Sequence, residues 1–426
     1  MSNGVKKSKR KVLVALSGGI DSAVSAYLLI KQGYQVEAAF MKNWSSTEGL
    51  LKNECPWLND RREALRAAAF LRIPLHTLNF EKQYQNRVMK YFFNEYHKGR
   101  TPNPDVMCNK EIKFGLLYDW AMSHRFGFLA TGHYAQIRTT SPGLRPPSPH
   151  EGRGRGEVVY QLMRSADEFK DQTYFIYNIK PQQLPHLLFP IGNMKKTQVR
   201  SLARKIGLPN AERKESMGLC FVGKIRLKEF LSQRLKPKRG PIIFIPPLHP
   251  PLIKGGKRKN FPPYKGGESA EIPLLIKERL GEVIGQHEGL YQYTIGQRQG
   301  IKVGGSGPYY VFGKDLKANR LYVTDNPEDK RLFIKEVQIH SVNWIGQRGY
   351  GVEGRGKSKK SKTLNPKPLT LVGRFRHQGE LVPLTIHQIK KDLYRVVFDQ
   401  PQKAVASGQS LVLYKGKQCL GGGVIV

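Results

Sequence analysis

The chain is poor in cysteine: four in 426 residues, at Cys55, Cys108, Cys220 and Cys419. None stands in a Cys-x-x-Cys pair, which argues against a zinc ribbon and the usual iron–sulfur binding run. Cysteines so far apart in a long chain also argue against a structural disulfide framework. No apolar run approaches the roughly 20 residues that span a bilayer. The first eleven residues are basic but too short and unpatterned for a transit peptide. A cytoplasmic protein that does not enter membranes is therefore expected. Acidic residues are scarce as well, 33 against 71 Lys and Arg, for a formal net charge of +38. Three Pro/Gly/Lys-rich stretches, 141–157, 245–268 and 348–368, read as flexible insertions and carry +1, +4 and +6 of that charge. The remaining +27 lies in foldable sequence and suits a polyanionic partner such as RNA, because neutralising phosphates releases counterions.

A Walker motif is absent too, since no Gly-Lys-Ser/Thr closes a glycine-rich turn. What is present is Val12-Leu13-Val14-Ala15-Leu16, a buried strand by its apolar run, then Ser17-Gly18-Gly19-Ile20-Asp21-Ser22 and a helix that should stop at Gly33. A glycine-rich turn between strand and helix gathers free N–H groups and the positive end of the helix dipole at one spot, which makes an anion site. Further strands are expected at 36–41, 74–80 and 128–132, alternating with helices at 60–71, 83–96 and 112–126. That alternation predicts an α/β fold with a parallel, doubly wound sheet. Ligands of such sheets lie beyond the carboxyl ends of the strands. Ser17–Gly19, Met41 and Gly132-His133 all fall at strand exits and should share one crevice.

The stretch Thr101-Pro102-Asn103-Pro104-Asp105-Val106-Met107-Cys108-Asn109-Lys110-Glu111-Ile112-Lys113-Phe114 carries two prolines that predict an extended loop. A helix should then start at Cys108 or Asn109. A cysteine at a helix N-terminus beside Lys110 and Lys113 has two reasons for a depressed pKa. Cys220 lies in Gly218-Leu219-Cys220-Phe221-Val222-Gly223, whose glycines allow the backbone to move. The basic helix expected at 195–206 reads as a solvated face. From 332 onward short alternating strands predict an antiparallel β-barrel. Arg374-Phe375-Arg376-His377 within it mixes cations with an aromatic, as phosphate contact and base stacking require.

Two resemblances sharpen this. Ser17–Ser22 resembles the PP-loop of the ATP pyrophosphatases, which cut ATP between its α- and β-phosphates. The Thr101–Phe114 stretch, the Cys220 segment and Lys170-Asp171-Gln172 together resemble the tRNA-specific 2-thiouridylases, the MnmA/TrmU family, over nearly the whole chain outside the insertions. A block at 289–300 is similar too, though Gln299 replaces a basic residue usual there. The resemblance implies a tRNA-uridine 2-sulfurtransferase acting on the wobble uridine of lysine, glutamate and glutamine tRNAs. ATP would be bound by Ala15, Leu16, Ser17, Gly18, Gly19, Ile20, Asp21, Ser22, Met41 and Gly132, with Mg²⁺ on the triphosphate. Cys108 would be the nucleophile. Cys220 would carry a persulfide received from a donor protein, a cysteine desulfurase or sulfur relay protein, and the two cysteines could pair as a disulfide during turnover. Attack on the base by the persulfide or by released sulfide are both open. The tRNA contacts implied are Asn103, Pro104, Asp105, His133, Lys170, Asp171, Gln172, Arg374, Phe375 and Gln409. No iron–sulfur cluster is implied, since Asp105 stands where an iron–sulfur version would want cysteine, and a monomer is implied. The expected domains are 1–215, 216–330 and 331–426. The competing readings are a nitrogen-delivering enzyme of the lysidine-synthetase kind, which needs no cysteine, and a silent tRNA-binding protein.

Overall fold

The computed structural model describes residues 10–45, 56–139, 158–213, 227–232, 234–247, 281–301, 303, 308–345 and 369–426. Strand β1 (Lys11–Ala15) is the middle of a parallel sheet ordered β3-β2-β1-β4-β7. The others are β2 (Gln35–Lys42), β3 (Leu75–Asn79), β4 (Phe128–Ala130) and β7 (Leu187–Leu188). Successive residues of β1 point to opposite faces, and both faces are covered. Leu13 and Ala15 join an aromatic-rich cluster with Phe92, Phe114 and Tyr174, whereas Val12 and Val14 pack with Ala26 and Leu29 of helix α1 (Ile20–Lys31). Double coverage is why the strand reads as an unbroken apolar run. Helix α1 ends as expected, with Gly33 at φ +84°, a left-handed conformation that glycine adopts without strain.

Helix α2 (Pro56–Leu71) follows β2, and longer helical runs follow β3 at 81–97 (α3) and 104–123 (α4). Helix α4 corrects the sequence reading, because it begins at Pro104 rather than at Cys108 or Asn109. Asn103 caps it by accepting from the Val106 N–H at 3.2 Å. Pro104 takes the first helical position, where a missing N–H costs nothing. Cys108 is therefore the fifth residue of a helix, and the helix widens to π geometry over Asn109–Leu117 directly after it.

Strand β8 (Gly240–Phe244) sits beside β9 (Glu282–His287) and β11 (Arg320–Thr324), with β10 (Tyr310–Asp315) outside, in a four-stranded central sheet. The insertion expected from 245 starts later, since Ile245 is buried and donates its N–H to Val323 at 3.0 Å. The C-terminal strands are β12 (Phe333–Trp344), β13 (Leu369–Arg374), β14 (Val382–Lys390), β15 (Leu393–Lys403), β16 (Ser410–Lys415) and β17 (Gln418–Ile425). They run β12-β15-β14-β13-β16-β17 and close where β17 pairs with β12, Ile425 opposite Ile339. The result is a six-stranded antiparallel barrel around Val396, Phe398, Leu411 and Leu413. The hairpin β5 (Ala135–Thr139) and β6 (Tyr160–Arg164) extends the barrel's sheet, with Leu162 opposite Cys419. Sequence from the N-terminal half is thereby built into the barrel wall. No helix among the described residues is long and apolar enough to cross a membrane.

Candidate active site

The Ser17–Ser22 turn leaves β1 where the strand order reverses between β2 and β4, the position at which an open parallel sheet opens its crevice. Gly18 takes φ +78°, and a Cβ there would stand 2.4 Å from the Asp60 carbonyl oxygen. The Gly18 carbonyl accepts from Asn210 Nδ2 at 2.8 Å and Arg213 Nη1 at 2.9 Å. Arg213 is itself paired with Asp60. This clamp ties the carbonyl back and leaves the first N–H groups of α1, which have no helical partner, for an anion. Ser22 Oγ donates to the Gly19 carbonyl at 2.9 Å and lies 3.3 Å from Ser17 Oγ, so the turn closes on itself.

Asp21 supplies the carboxylate of the turn. Lys196, the first residue of helix α6 (Lys196–Lys205), reaches both of its oxygens at 2.8 Å, and the Tyr134 hydroxyl donates at 3.0 Å. The Lys196 side chain is 12% exposed. Among the described residues no three His, Cys, Asp or Glu side chains gather as a metal site. Asn43, just past β2, is buried, and neither of its amide atoms has a hydrogen-bond partner among the described residues.

The exit turn of β4 joins this crevice to α4. A Cβ on Gly132 would lie 2.7 Å from the Ser22 nitrogen, so the turn packs on the start of α1. The adjacent His133 ring lies 5.7 Å from that of Phe114 on α4, with Nδ1 2.7 Å from Thr131 Oγ1. Burial, with the Lys113 ammonium adding to it, pushes the His133 imidazole well below its ordinary value. It is neutral at pH 7. Met41 and Ala15 belong to the same apolar cluster as Val106, Cys108 and Phe114. The Thr131–Tyr134 turn thus touches both the start of α1 and the helix that carries Cys108. Cys108 is a fully buried cysteine. Cys419 is a buried thiol too, and burial pushes it up to about 12, which leaves it unreactive. Cys220 lies outside the described residues.

The segment before α4 is held at a three-way junction. Thr101 donates its N–H to the Ser407 carbonyl, its own carbonyl accepts from Gln409 Nε2 at 2.7 Å, and its hydroxyl lies 3.1 Å from that of Thr294. Lys314 of the central sheet donates to the carbonyls of Gly99 and Tyr293. Gln409 and Phe375 line a cavity of about 420 Å³ with Thr294, Tyr310 and Arg376, where central sheet and barrel meet.

Family profiles match in three consecutive pieces: a tRNA methyl transferase HUP domain over residues 10–224, a tRNA methyl transferase PRC-barrel domain over 271–325, and an aminomethyltransferase β-barrel domain over 335–425. The tRNA-specific 2-thiouridylase MnmA of Flavobacterium johnsoniae is 39% identical, with 98% of this chain and 100% of that protein aligned. The protein of the same name from Christiangramia forsetii is 39% identical over the same shares. The chain belongs to the MnmA family of tRNA-specific 2-thiouridylases. Among solved structures, a 4-thiouridine synthetase–RNA complex with bound ATP is 18% identical, covers 53% of this chain and 50% of that one, and has a TM-score of 0.32, too low to argue from.

Within this family member the residues offered as tRNA contacts divide. Asn103, Pro104 and Asp105 form the first turn of the Cys108 helix, and Lys170 stands at the surface side of its loop. Gln172 accepts from the Tyr134 N–H at 2.9 Å, behind the crevice. Asp171 and Arg374 are interior. Asp171 is 1% exposed and Arg374 5%, and Arg374 and Arg164 both reach Asp171 Oδ2, at 3.3 and 3.4 Å. The Arg374–His377 run is accordingly the end of β13 and a turn, with its first cation inside. Sequence reasoning missed Lys196, Tyr134, Asn210 and Arg213, the residues that grip Ser17–Asp21 from elsewhere in the chain. In sequence Lys196 reads as part of a solvated helix face. Its one available signal was position, at the first turn of a helix directly after a loop.

Proposed function

We propose that this chain is an ATP-dependent tRNA sulfurtransferase that exchanges the C2 oxygen of the wobble uridine of lysine, glutamate and glutamine tRNAs for sulfur. The observation that carries the proposal is the Thr131–Tyr134 turn, which packs on the start of α1 through Gly132 and on the Cys108 helix through His133. A turn that touches both the anion cradle and the helix bearing the thiol suits a reaction that needs both. The uracil O2 attacks the α-phosphorus of ATP, pyrophosphate leaves, and the C2–O bond gains AMP as a good leaving group. If the Cys220 persulfide attacks C2, AMP departs with the former O2, and the Cys108 thiolate then attacks the Cys220 sulfur, breaking the S–S bond so that sulfur stays on C2. If Cys108 attacks first, the sulfide it releases bonds to C2 and AMP departs. Either way a Cys108–Cys220 disulfide is left for an external dithiol to reduce.

Each residue has a task in this scheme. The Gly18–Ser22 backbone takes the β- and γ-phosphates, and the Lys196 ammonium, held beside the turn by Asp21, adds the positive charge that neutralises them. Mg²⁺ on a triphosphate needs few protein carboxylates beside water and phosphate oxygens, and Asp21 fits as one; the ion would add charge neutralisation. Asn43 offers a donor and an acceptor to the base of the nucleotide. Asn103–Asp105 frame the extruded uridine, since chemistry on a base requires taking it out of the stack. Cys108 and Cys220 handle sulfur supplied by a donor protein. Nucleoside mass spectrometry of tRNA incubated with the chain, ATP and a persulfide donor tests the proposal. We expect 2-thiouridine with the parent chain and none with Cys108→Ser; its absence with the parent in all three tRNAs defeats the reading.

A further inference from the structure

Among the described residues the most exposed large apolar side chain is Phe169, with 67% of its surface in solvent. Leaving a phenyl ring in water forgoes the stabilisation that burial would bring. The loop that carries it is well tied. The Asp167 carboxylate accepts from the N–H groups of Lys170 at 3.2 Å and Lys196 at 2.9 Å, and its carbonyl accepts from the Ser165 hydroxyl at 2.5 Å. The Phe169 carbonyl accepts from Gln378 Nε2 at 3.4 Å, which bonds this loop to the turn between β13 and β14. The Lys170 ammonium stands 5.7 Å from the Phe169 ring centre. His377, next to Gln378, borders the same patch and feels the Lys170 charge.

A pre-placed aromatic face beside an ammonium matches a nucleobase and its phosphate, and stacking of that kind tolerates any base. Phe375, the aromatic in the Arg374–His377 run, is a poorer candidate. Its ring packs 5.9 Å from that of Phe398 in the barrel core, with the Arg376 guanidinium 5.5 Å from its centre. The chain's +38 charge favours RNA over a protein as the occupant. We propose that Phe169 is a stacking platform for an unpaired base of bound tRNA, with Lys170 on the adjoining phosphate. The proposal rests on the tRNA reading above and adds a contact outside the crevice.

The test measures binding of 3′-fluorescein-labelled tRNA-Glu transcript and of a fully paired RNA duplex of equal length, using the full chain. Phe169→Ala should weaken tRNA binding about ten-fold, the order expected for losing one stacked base. Phe169→Trp should keep it within about two-fold, and duplex binding should be the same for all three proteins. Phe169→Ala binding tRNA as tightly as the parent overturns the inference and leaves the tRNA reading standing. A parent chain that binds tRNA no better than duplex overturns both. If Phe169→Ala keeps its tRNA affinity but loses turnover with a persulfide-donor protein and not with inorganic sulfide, the ring docks protein, and the inference is again overturned.

Discussion

Asp171→Asn separates an interior role from direct contact with RNA. The Asp171 side chain is wholly buried between Arg164 and Arg374, whose side chains are 9% and 6% exposed. It also accepts from the Thr173 hydroxyl at 2.9 Å and from the Ser165 N–H at 3.2 Å. Through these partners it joins β6 and β13 to the loop before α5 (Thr173–Ile176). An amide keeps the shape and one acceptor but withdraws the charge that two guanidiniums share. Breaking a buried pair costs about 3–5 kcal/mol, and since donors meet both Asp171 oxygens the new NH2 faces donors whichever way it turns, so the loss should fall within that range. Urea denaturation followed by fluorescence should show the midpoint fall at constant slope. Arg374→Met in the same background should cost less than it does alone, a coupling of about 1–2 kcal/mol. If Asp171→Asn leaves the midpoint in place and lowers tRNA affinity about ten-fold instead, Asp171 faces RNA and the burial argument is wrong.

Other outcomes follow from the same geometry. Lys196→Met removes the ammonium that spans both Asp21 oxygens, and should raise the KM for ATP at least about ten-fold while leaving tRNA affinity within about two-fold; steady-state kinetics and a binding titration check this. Burial pushes the Lys314 ammonium down to about 8 from an ordinary 10.5. Between those values the unfolded chain holds a proton that the folded chain has released, so stability should rise with pH there, and Lys314→Met should flatten the rise in a denaturation series from pH 7.5 to 10. Cys419→Ala should leave turnover unchanged and a thiol-alkylating reagent should spare Cys419 in the folded chain, because its thiol is buried and held near 12.

What could be read from sequence was what neighbours along the chain decide. The β1–turn–α1 unit is local: an apolar run, two glycines and a helix stop at Gly33 suffice. The strand–helix alternation and the C-terminal barrel pattern are likewise periodic signals. Two prolines read locally as breakers and put the start of α4 too late, whereas Asn103 before Pro104 is a cap followed by a first helical residue. Contacts set by tertiary packing left no local trace. Lys196 meets Asp21 across 175 positions, and Arg374 meets Asp171 across 203. The β5–β6 hairpin joins a barrel whose other strands come from 333 onward, which no periodicity in 135–164 announces.

The central claim is that one crevice activates the base with ATP and that Cys108 acts afterwards. Cys108→Ser mixed with tRNA and labelled ATP isolates the two stages. The account predicts tRNA-dependent release of pyrophosphate, AMP joined to the tRNA, and no 2-thiouridine. Either 2-thiouridine formed at the parent's rate, or no pyrophosphate released in the presence of tRNA, would contradict it.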